Sequence, residues 1–329
     1  MSSSLLRVID RFPKSRILVL GDLMLDEFIW GRVSRISPEA PVPVVWVQSE
    51  SVMPGGAANV ANNLRSLGAE VTLIGVAGRD RFGDVLLGEL SDRGIDASGV
   101  LRAERPTIVK TRVIAHHQQV VRVDREQPGP LSAAEVKRLV RAVEERLREA
   151  DALIIEDYGK GLVTRRLLSA VIPRARRAGV IITVDPKEDH FELYRGVSAL
   201  TPNRAEAALA VGRELADRRA LERAGAELVR RLRCEAVLIT LGEDGMELFE
   251  RSGRRTMIPT VAQEVFDVAG AGDTVIAAFT LALAAGAGPR DAARLSNYAA
   301  GIVVGKLGVA CCSPGELRAL LRATGRRRR

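Results

Sequence analysis

Residues 267–286 read "DVAGAGDTVIAAFTLALAAG", a glycine-rich turn that leads directly into an apolar helix. Four small residues of this turn can bring their backbone N–H groups close to an anion: Ala269, Gly270, Ala271 and Gly272. A phosphate-binding Walker loop ends in Lys, whereas this turn ends in Asp273. Because a carboxylate repels phosphate, a better partner is the proton of an attacking hydroxyl. Asp273 is therefore a candidate general base; the alternative is a helix N-terminal acid favoured by the helix dipole.

Short apolar runs rich in Val and Ile alternate with helical patterns along the chain. The runs are "RILVLGD", "VTLIGVAG", "ALIIEDY", "VIITVDP", "SALTPN" and "AVLITLG". Buried strands that alternate with helices predict a parallel sheet covered on both faces. The predicted fold class is a doubly wound α/β fold, in which ligands bind beyond the carboxyl ends of the strands.

Two segments break this rhythm because they alternate apolar with polar residues. They are residues 41–50, "PVPVVWVQSE", and residues 107–126, "TIVKTRVIAHHQQVVRVDRE". This pattern predicts half-exposed antiparallel strands, which we interpret as a small projecting sheet that acts as a lid. We expect one domain over residues 1–329, with lid segments at about 30–50 and 107–126 and a basic tail at 324–329.

A second glycine cluster, "MPGGAANVANNL" at residues 53–64, follows the first lid segment. Gly55 and Gly56 would let the backbone approach a substrate closely, while Asn59 or Asn63 could hydrogen-bond sugar hydroxyls. Tight helix packing is the alternative explanation for these small residues.

The two glycine motifs resemble the signatures of the ribokinase-like (PfkB) carbohydrate kinases. "PGGAANVANNLRSLG" is similar to the first signature and "DVAGAGDTVIAAF" to the second, in the same order, and the resemblance covers essentially the whole chain. The segments "GDLMLDEFIWGRVSRISPEAPVPVVWV", "DYGKG" and "AQEVFDVAGAGDT" are similar to the kinases that phosphorylate the anomeric hydroxyl of D-glycero-β-D-manno-heptose 7-phosphate.

The resemblance implies an ATP-dependent sugar-phosphate kinase that uses Mg²⁺, has a ribokinase-like fold and serves ADP-heptose and lipopolysaccharide core biosynthesis. Because the chain ends soon after the kinase pattern, we expect a stand-alone kinase. One alternative is a related kinase for another substrate, such as a fructose phosphate or ribose. Another is a nucleotide-binding regulator that has lost catalysis.

The resemblance also implies roles for residues on the nucleotide side. Asp273 would be the catalytic base, with residues 269–272 as the anion hole. Asn203 and Glu206 in "NRAE" would orient phosphate and Mg²⁺-bound water, or else form a simple helix N-terminal pair. Other residues are expected along the nucleotide and near the adenine: Thr240, Gly242, Gly245 and Asn297.

On the sugar side, the resemblance implies a carboxylate after the first strand. Asp22 is the stronger candidate, and Asp26 could instead form a loop salt bridge. Gly55, Gly56 and Asn59 would complete this side of the pocket.

Recognition of the substrate's own phosphate requires cations. The sequence has 43 Arg and 6 Lys, so lysines within motif segments stand out. The candidates are Lys110, Arg112, Lys160 and Lys187; solvated surface charge is the alternative for each. His117 could contact the sugar, or it could be polar filler on the lid.

The net charge of +8 is weak evidence for a nucleic-acid partner, because "RRRR" at residues 326–329 supplies half of it. No zinc or RNA-recognition signature accompanies the basic residues. No run of about 18 apolar residues could span a bilayer, and the N-terminus lacks a signal-peptide core. We therefore expect a cytoplasmic protein without nucleic-acid or membrane partners, reduced cysteines, and a homodimer formed through the lid strands.

Overall fold

The computed structural model describes residues 2–116, 118–127, 129–262 and 264–327. Within these ranges the strands are β1 (Arg16–Gly21), β2 (Leu23–Ile36), β3 (Pro43–Gly56), β4 (Glu70–Gly78), β5 (Asp96–Ala103), β6 (Ile108–Ala115), β7 (Gln118–Arg125), β8 (Ala152–Glu156), β9 (Ile181–Asp185), β10 (Ala199–Leu200), β11 (Ala236–Thr240), β12 (Met246–Glu250) and β13 (Arg255–Ile258). The helices are α1 (Ser2–Ile9), α2 (Ala57–Ser66), α3 (Arg81–Asp92), α4 (Ala133–Leu147), α5 (Arg165–Arg177), α6 (Arg204–Val211), α7 (Arg218–Leu232), α8 (Ala271–Ala284), α9 (Pro289–Val303) and α10 (Pro314–Arg327). Short 3₁₀ turns occupy Phe12–Lys14, Glu188–Tyr194 and Gly242–Asp244.

The main sheet has the strand order β13-β12-β11-β10-β9-β8-β1-β4-β5. All pairs from β11 to β5 are parallel, while β12 and β13 add an antiparallel edge. The six apolar runs in the sequence correspond to β1, β4, β8, β9, β10 and β11, so these strand predictions are confirmed. Sequence reasoning missed the two edge strands, β5 and β13, and also β12, which lies next to β13.

Apolar clusters cover both faces of the main sheet. On one face, α8 buries residues around its whole circumference, including Ile276, Phe279 and Leu281. On the other face, α5 buries Leu167 and Val171. Burial of each such large side chain contributes about 1.5–3 kcal/mol. This packing holds the beginning of α8 at one end of the sheet.

A second, four-stranded sheet has the order β3-β2-β6-β7. β2 pairs antiparallel with β3 and parallel with β6, and β7 closes the far edge. Residues 41–50 and 107–126 do contribute strands to this second sheet, but sequence reasoning missed most of β2. Large apolar side chains are exposed on this sheet, among them Trp46 at 71% exposure and Trp30 at 40%.

Strand register brings carboxylate side chains together at one end of the main sheet. Gly21 of β1 pairs with Glu156 of β8, and Glu156 pairs with Asp185 of β9. Because these strands are parallel, their carboxyl ends meet at one edge, where α8 also begins. Along the described ranges, no helix has the combination of length and apolar character needed to cross a membrane.

Candidate active site

Asp273 lies in the first turn of α8 with its side chain buried. Asn59 Nδ2 donates to its Oδ2 at 2.5 Å, and the Tyr158 hydroxyl donates to its Oδ1 at 2.9 Å. Burial raises the pKa of Asp273, and the two hydrogen bonds oppose that rise because they stabilise the carboxylate. The result is an oriented carboxylate at the sheet edge, which suits a general base.

Polar residues of α2 support this arrangement from behind. Asn63 Nδ2 donates to the Asn59 carbonyl at 3.0 Å, and the Thr274 hydroxyl donates to Asn63 Oδ1 at 2.8 Å. The Asn63 side chain therefore makes hydrogen bonds within the protein, and the Asn59 side-chain amide points at Asp273. Both side chains connect α2 to the first turn of α8.

The glycine turn before α8 offers fewer free amides than the sequence implied. The Ala269 amide donates to Asp267 Oδ1 at 2.9 Å, and the Ala271 amide donates to the Val268 carbonyl at 3.2 Å. In the part of the chain that the structure describes, the amides of Gly270 and Gly272 have no acceptor. Gly270 has φ of 75°, a left-handed conformation that glycine adopts without strain. Of the four residues predicted to form an anion hole, Gly270 and Gly272 are the two whose amides stay available in the described structure.

Three carboxylates meet beside this turn, because Glu156, Asp185 and Asp273 each place an oxygen within 4.8 Å of the others. Burial, followed by the charges of Glu206 and Asp273, raises the pKa of Asp185 to about 8. Burial and neighbouring acids also raise the pKa of Glu156 well above its ordinary value. Among the described residues, no hydrogen-bond partner is present for the buried Glu156 Oε2. Repelling oxygens and an orphaned acceptor fit a divalent cation such as Mg²⁺.

Asn203 and Glu206 begin α6 as a capping box. Asn203 Oδ1 accepts from the Glu206 amide at 2.9 Å, and Glu206 Oε2 accepts from the Asn203 amide at 2.8 Å. Burial is the main cause that raises the pKa of Glu206. An isolated bridge pairs Asn203 with Thr240 at the end of β11. The structure therefore gives these residues the helix-end role and also places Glu206 beside the acid cluster.

The other residues predicted for the nucleotide lie along the next part of the edge. Gly242 begins the 3₁₀ turn and Gly245 follows its end, with φ of 62° and 89°. A Cβ at Gly245 would lie 2.2 Å from the Ile258 carbonyl oxygen, so this position requires glycine. Asn297 is buried on α9 and donates to the Pro259 carbonyl at 2.8 Å. Its amide therefore anchors the segment that follows β13.

The Asp22 carboxylate accepts hydrogen bonds from backbone amides and does not face open space. Its Oδ2 accepts from the amides of Tyr158 and Lys160 at 3.1 and 3.0 Å, and its Oδ1 accepts from the Leu162 amide at 3.2 Å. Burial raises its pKa despite these bonds. Asp22 thus anchors residues 158–162, which we call the 158–162 loop.

Asp26 and Arg112 form an ion pair between β2 and β6. The guanidinium also lies 5.4 Å from the centre of the Phe28 ring. A Cβ at Gly55 would lie 2.4 Å from Asp26 Oδ2, and Gly56 has φ of 57°. Gly55 therefore leaves room for the Asp26 carboxylate, whose pairing with Arg112 matches the salt-bridge alternative.

Each lysine predicted to bind the substrate phosphate lies near an acid. Lys160 Nζ pairs with Glu126 at 2.7 Å, and Lys187 Nζ pairs with Glu188 at 2.7 Å. Lys110 Nζ lies 3.8 Å from Asp124, and burial lowers its pKa. His117 lies outside the described residues.

Sequence reasoning did not select Tyr158, Glu156 or Asp185, which the structure places beside Asp273. All three lie in quoted segments, "ALIIEDY" and "VIITVDP". The sequence signal that could have indicated Glu156 and Asp185 is an acid at the carboxyl end of each of two buried strands. Parallel register brings such strand ends together.

A family model described as "pfkB family carbohydrate kinase" matches residues 14–315, which is most of the chain. The chain belongs to the pfkB family of carbohydrate kinases. This pfkB kinase is therefore an enzyme that phosphorylates a sugar, and kinases of this family generally use ATP and Mg²⁺.

The kinase is 50% identical over 301 residues to the Bifunctional protein HldE of Geobacter metallireducens, covering 91% of this chain and 61% of that protein. The Bifunctional protein HldE of Desulfatibacillum aliphaticivorans is 46% identical over 311 residues, covering 94% and 64%. The chain therefore spans about three-fifths of the length of these curated relatives.

Solved structures share the fold of the pfkB kinase. Phosphofructokinase-2 from Escherichia coli in complex with potassium superposes with a TM-score of 0.80 at 23% identity, covering 94% of this chain and 99% of that chain. Ribokinase from Arabidopsis thaliana complexed with ribose and ATP gives 0.76 at 20% identity with the same coverage. The ribokinase-like α/β fold is confirmed.

Proposed function

We propose that this kinase transfers the γ-phosphoryl group of ATP to the C1 hydroxyl of D-glycero-β-D-manno-heptose 7-phosphate. The product, heptose 1,7-bisphosphate, would serve ADP-heptose and lipopolysaccharide core biosynthesis. The observation that carries the chemistry is the buried Asp273 carboxylate beside two free glycine amides. The identity with HldE proteins and the segment "RISPEAPVPV", residues 35–44, support this heptose phosphate as the acceptor.

In the proposed reaction, the Asp273 carboxylate accepts the proton of the C1 hydroxyl as that oxygen attacks the γ-phosphorus. A bond forms between the C1 oxygen and the γ-phosphorus. The bond from the γ-phosphorus to the β,γ-bridging oxygen breaks, and ADP leaves with that electron pair. The amides of Gly270 and Gly272 stabilise the negative charge on the transferred group.

Glu156, Asp185 and Glu206 are the residues that would hold Mg²⁺, with Glu206 acting through water. Carboxylate oxygens are preferred Mg²⁺ ligands, and Glu156 Oε2 is an acceptor with no donor in the described part of the chain. When bound, Mg²⁺ would neutralise charge on the ATP phosphates. Thr240, Gly242, Gly245 and Asn297 border the side of the edge that we assign to the nucleotide.

We assign the phosphate of the sugar to the cations at the base of the lid. The side chains of Lys110 and Lys160 are shielded, with 14% and 20% exposure, which strengthens their attraction for an anion. Asp124 and Glu126 neutralise them in the free enzyme, so the phosphate competes with these acids. Lys187 follows β9 and reaches toward Gly159 of the same region.

We also propose that residues 1–329 form one kinase domain whose lid strands pair with those of a second copy. The exposed Trp30 and Trp46 on the lid sheet support this arrangement, because burying them would stabilise a dimer. We assign the reaction to the cytoplasm, where ATP is supplied. Sugar phosphate and ATP are then the small-molecule partners.

The test is ADP release from purified protein with Mg-ATP and a panel of acceptors. The panel contains D-glycero-β-D-manno-heptose 7-phosphate, its α-anomer, fructose 6-phosphate, fructose 1-phosphate and ribose. Turnover confined to heptose phosphate supports the proposal, and turnover confined to another acceptor overturns the substrate assignment. ATP binding without any turnover would favour a regulatory role.

A further inference from the structure

We infer that Tyr158 is a positioning residue that holds Asp273 in the orientation needed for phosphoryl transfer. The inference rests on the proposed role of Asp273 as the base and concerns a residue with no assigned role. Its basis is geometric, because the Tyr158 hydroxyl donates to Asp273 Oδ1 at 2.9 Å across 115 positions of sequence.

The position of Tyr158 is set from two directions by buried carboxylates. Asp22 accepts the Tyr158 amide together with the amides of Lys160 and Leu162, which fixes the 158–162 loop. Asp157 precedes the tyrosine and is also buried. Its Oδ1 accepts from the Gly159 amide at 2.8 Å. A loop held at both ends presents the phenol in one place, as a positioning donor requires.

A second network holds Asp157 itself. Its Oδ2 accepts from the Tyr194 hydroxyl at 2.7 Å and contacts His190 Nδ1 at 2.7 Å. The Tyr194 hydroxyl in turn accepts the Lys187 amide at 3.0 Å. These contacts connect the 158–162 loop to the 3₁₀ turn after β9. The support beneath Tyr158 therefore extends across two strand ends of the main sheet.

Asp273 needs such a restraint because other acids surround it. Oxygens of Glu156 and Asp185 lie within 4.8 Å, and repulsion among these groups favours rotation of the side chain away from them. Asn59 on α2 binds Oδ2, and Tyr158 on the opposite side binds Oδ1. Each carboxylate oxygen accepts two hydrogen bonds, so one position per oxygen remains for the substrate proton.

The experiment compares Tyr158→Phe with the wild type in the full chain, using steady-state kinetics. We expect kcat to fall about 10- to 100-fold, the change that one hydrogen bond to a charged group supports. The KM values for ATP and for the sugar phosphate should stay within about two-fold, since an interaction used only in the transition state changes kcat alone.

The double variant separates positioning from general damage. In the Asp273→Asn background, Tyr158→Phe should produce no further loss, because the hydroxyl acts through the carboxylate. An additive loss would overturn the inference. A large rise in the sugar-phosphate KM with kcat preserved would also overturn it, since the phenol would then bind substrate directly.

Thr280→Val is the matched control, because it removes a buried hydroxyl that shares a hydrogen bond with Thr183 at 2.6 Å and takes no part in the contacts of Asp157, Tyr158 or Asp273 given above. It should lower the melting temperature by at least as much as Tyr158→Phe while kcat changes less than three-fold. Equal kcat losses in the two variants would indicate loosening of the fold and overturn the inference. If the wild type phosphorylates another acceptor of the panel instead, the substrate proposal fails, and the same comparison on that acceptor still decides the role of Tyr158.

Discussion

Replacing Asp185 by Asn should stabilise the metal-free kinase. The pKa of Asp185 is raised from 3.8 to about 8, so between these values the folded protein holds a proton that the unfolded chain has lost. Stability then falls as pH rises, by about 1.4 kcal/mol per pH unit, until the folded protein also releases the proton near pH 8. Asn carries no such proton and keeps an oxygen for the Thr201 hydroxyl, which donates to Asp185 Oδ1 at 2.9 Å.

The magnitude follows from the pH interval. From pH 5 to pH 8 the three pH units correspond to about 4 kcal/mol as an upper limit. Asp185 is only partly shielded from solvent, so we expect about half of this value. Near pH 8, where folded Asp185 releases its proton, the Asn variant also spares Glu156 a neighbouring negative charge, and this effect has the same sign.

The assay is urea unfolding with a chelator at pH 5, 6, 7 and 8. The difference in unfolding free energy between Asp185→Asn and wild type should be larger at pH 8 than at pH 5 by about 2 kcal/mol. Asp244→Asn is the control, because it removes an exposed acid paired with Arg204. It should follow the wild-type pH dependence. A difference that does not grow with pH would refute the reasoning.

Addition of Mg²⁺ provides a second test of Asp185. At pH 8 the wild type should gain stability when Mg²⁺ is added, because the cation replaces the lost proton as a partner for the acids. Asp185→Asn should gain much less and should have little kinase activity. Equal stabilisation of both proteins would exclude Asp185 as a ligand.

Three further substitutions have distinct expected outcomes. Asp273→Asn should reduce kcat by about 100-fold or more. Calorimetry should show nearly unchanged ATP affinity for this variant. A near-normal rate would exclude the base assignment. Asp22→Asn places an N–H₂ group against one of three backbone donors. Chemical denaturation should therefore show an unfolding free energy lower by about 1–3 kcal/mol. Unchanged stability would contradict the anchoring role. Trp46→Glu should convert a dimer to monomers in light scattering, because it places a charge on the exposed lid face, and an unchanged mass would argue against pairing through that face.

Much of this architecture could be predicted because local patterns carry it. Buried parallel strands appear as short Val- and Ile-rich runs, and the glycine turn before α8 is visible as "AGAG". The outermost strands β5 and β13 are harder to predict, because partial exposure mixes polar residues into their pattern. β12 is almost fully buried, but its five residues, "MELFE", include two acids that obscure the apolar run. The lid strand β2 was obscured in the same way as β5 and β13, since its burial changes from one end to the other.

By itself, the sequence determined the α/β class, the family and the presence of Asp273 at a helix N-terminus, because each depends on residues close together in the chain. The tertiary structure alone decided which groups meet Asp273. Tyr158 and Asn59 come from segments more than 100 positions away, and strand register brings Glu156 level with Asp185. It also decided that Asp22 binds backbone amides. Hydrogen bonds and carboxylate repulsion act over a few ångströms of space, and separation along the chain does not report that distance.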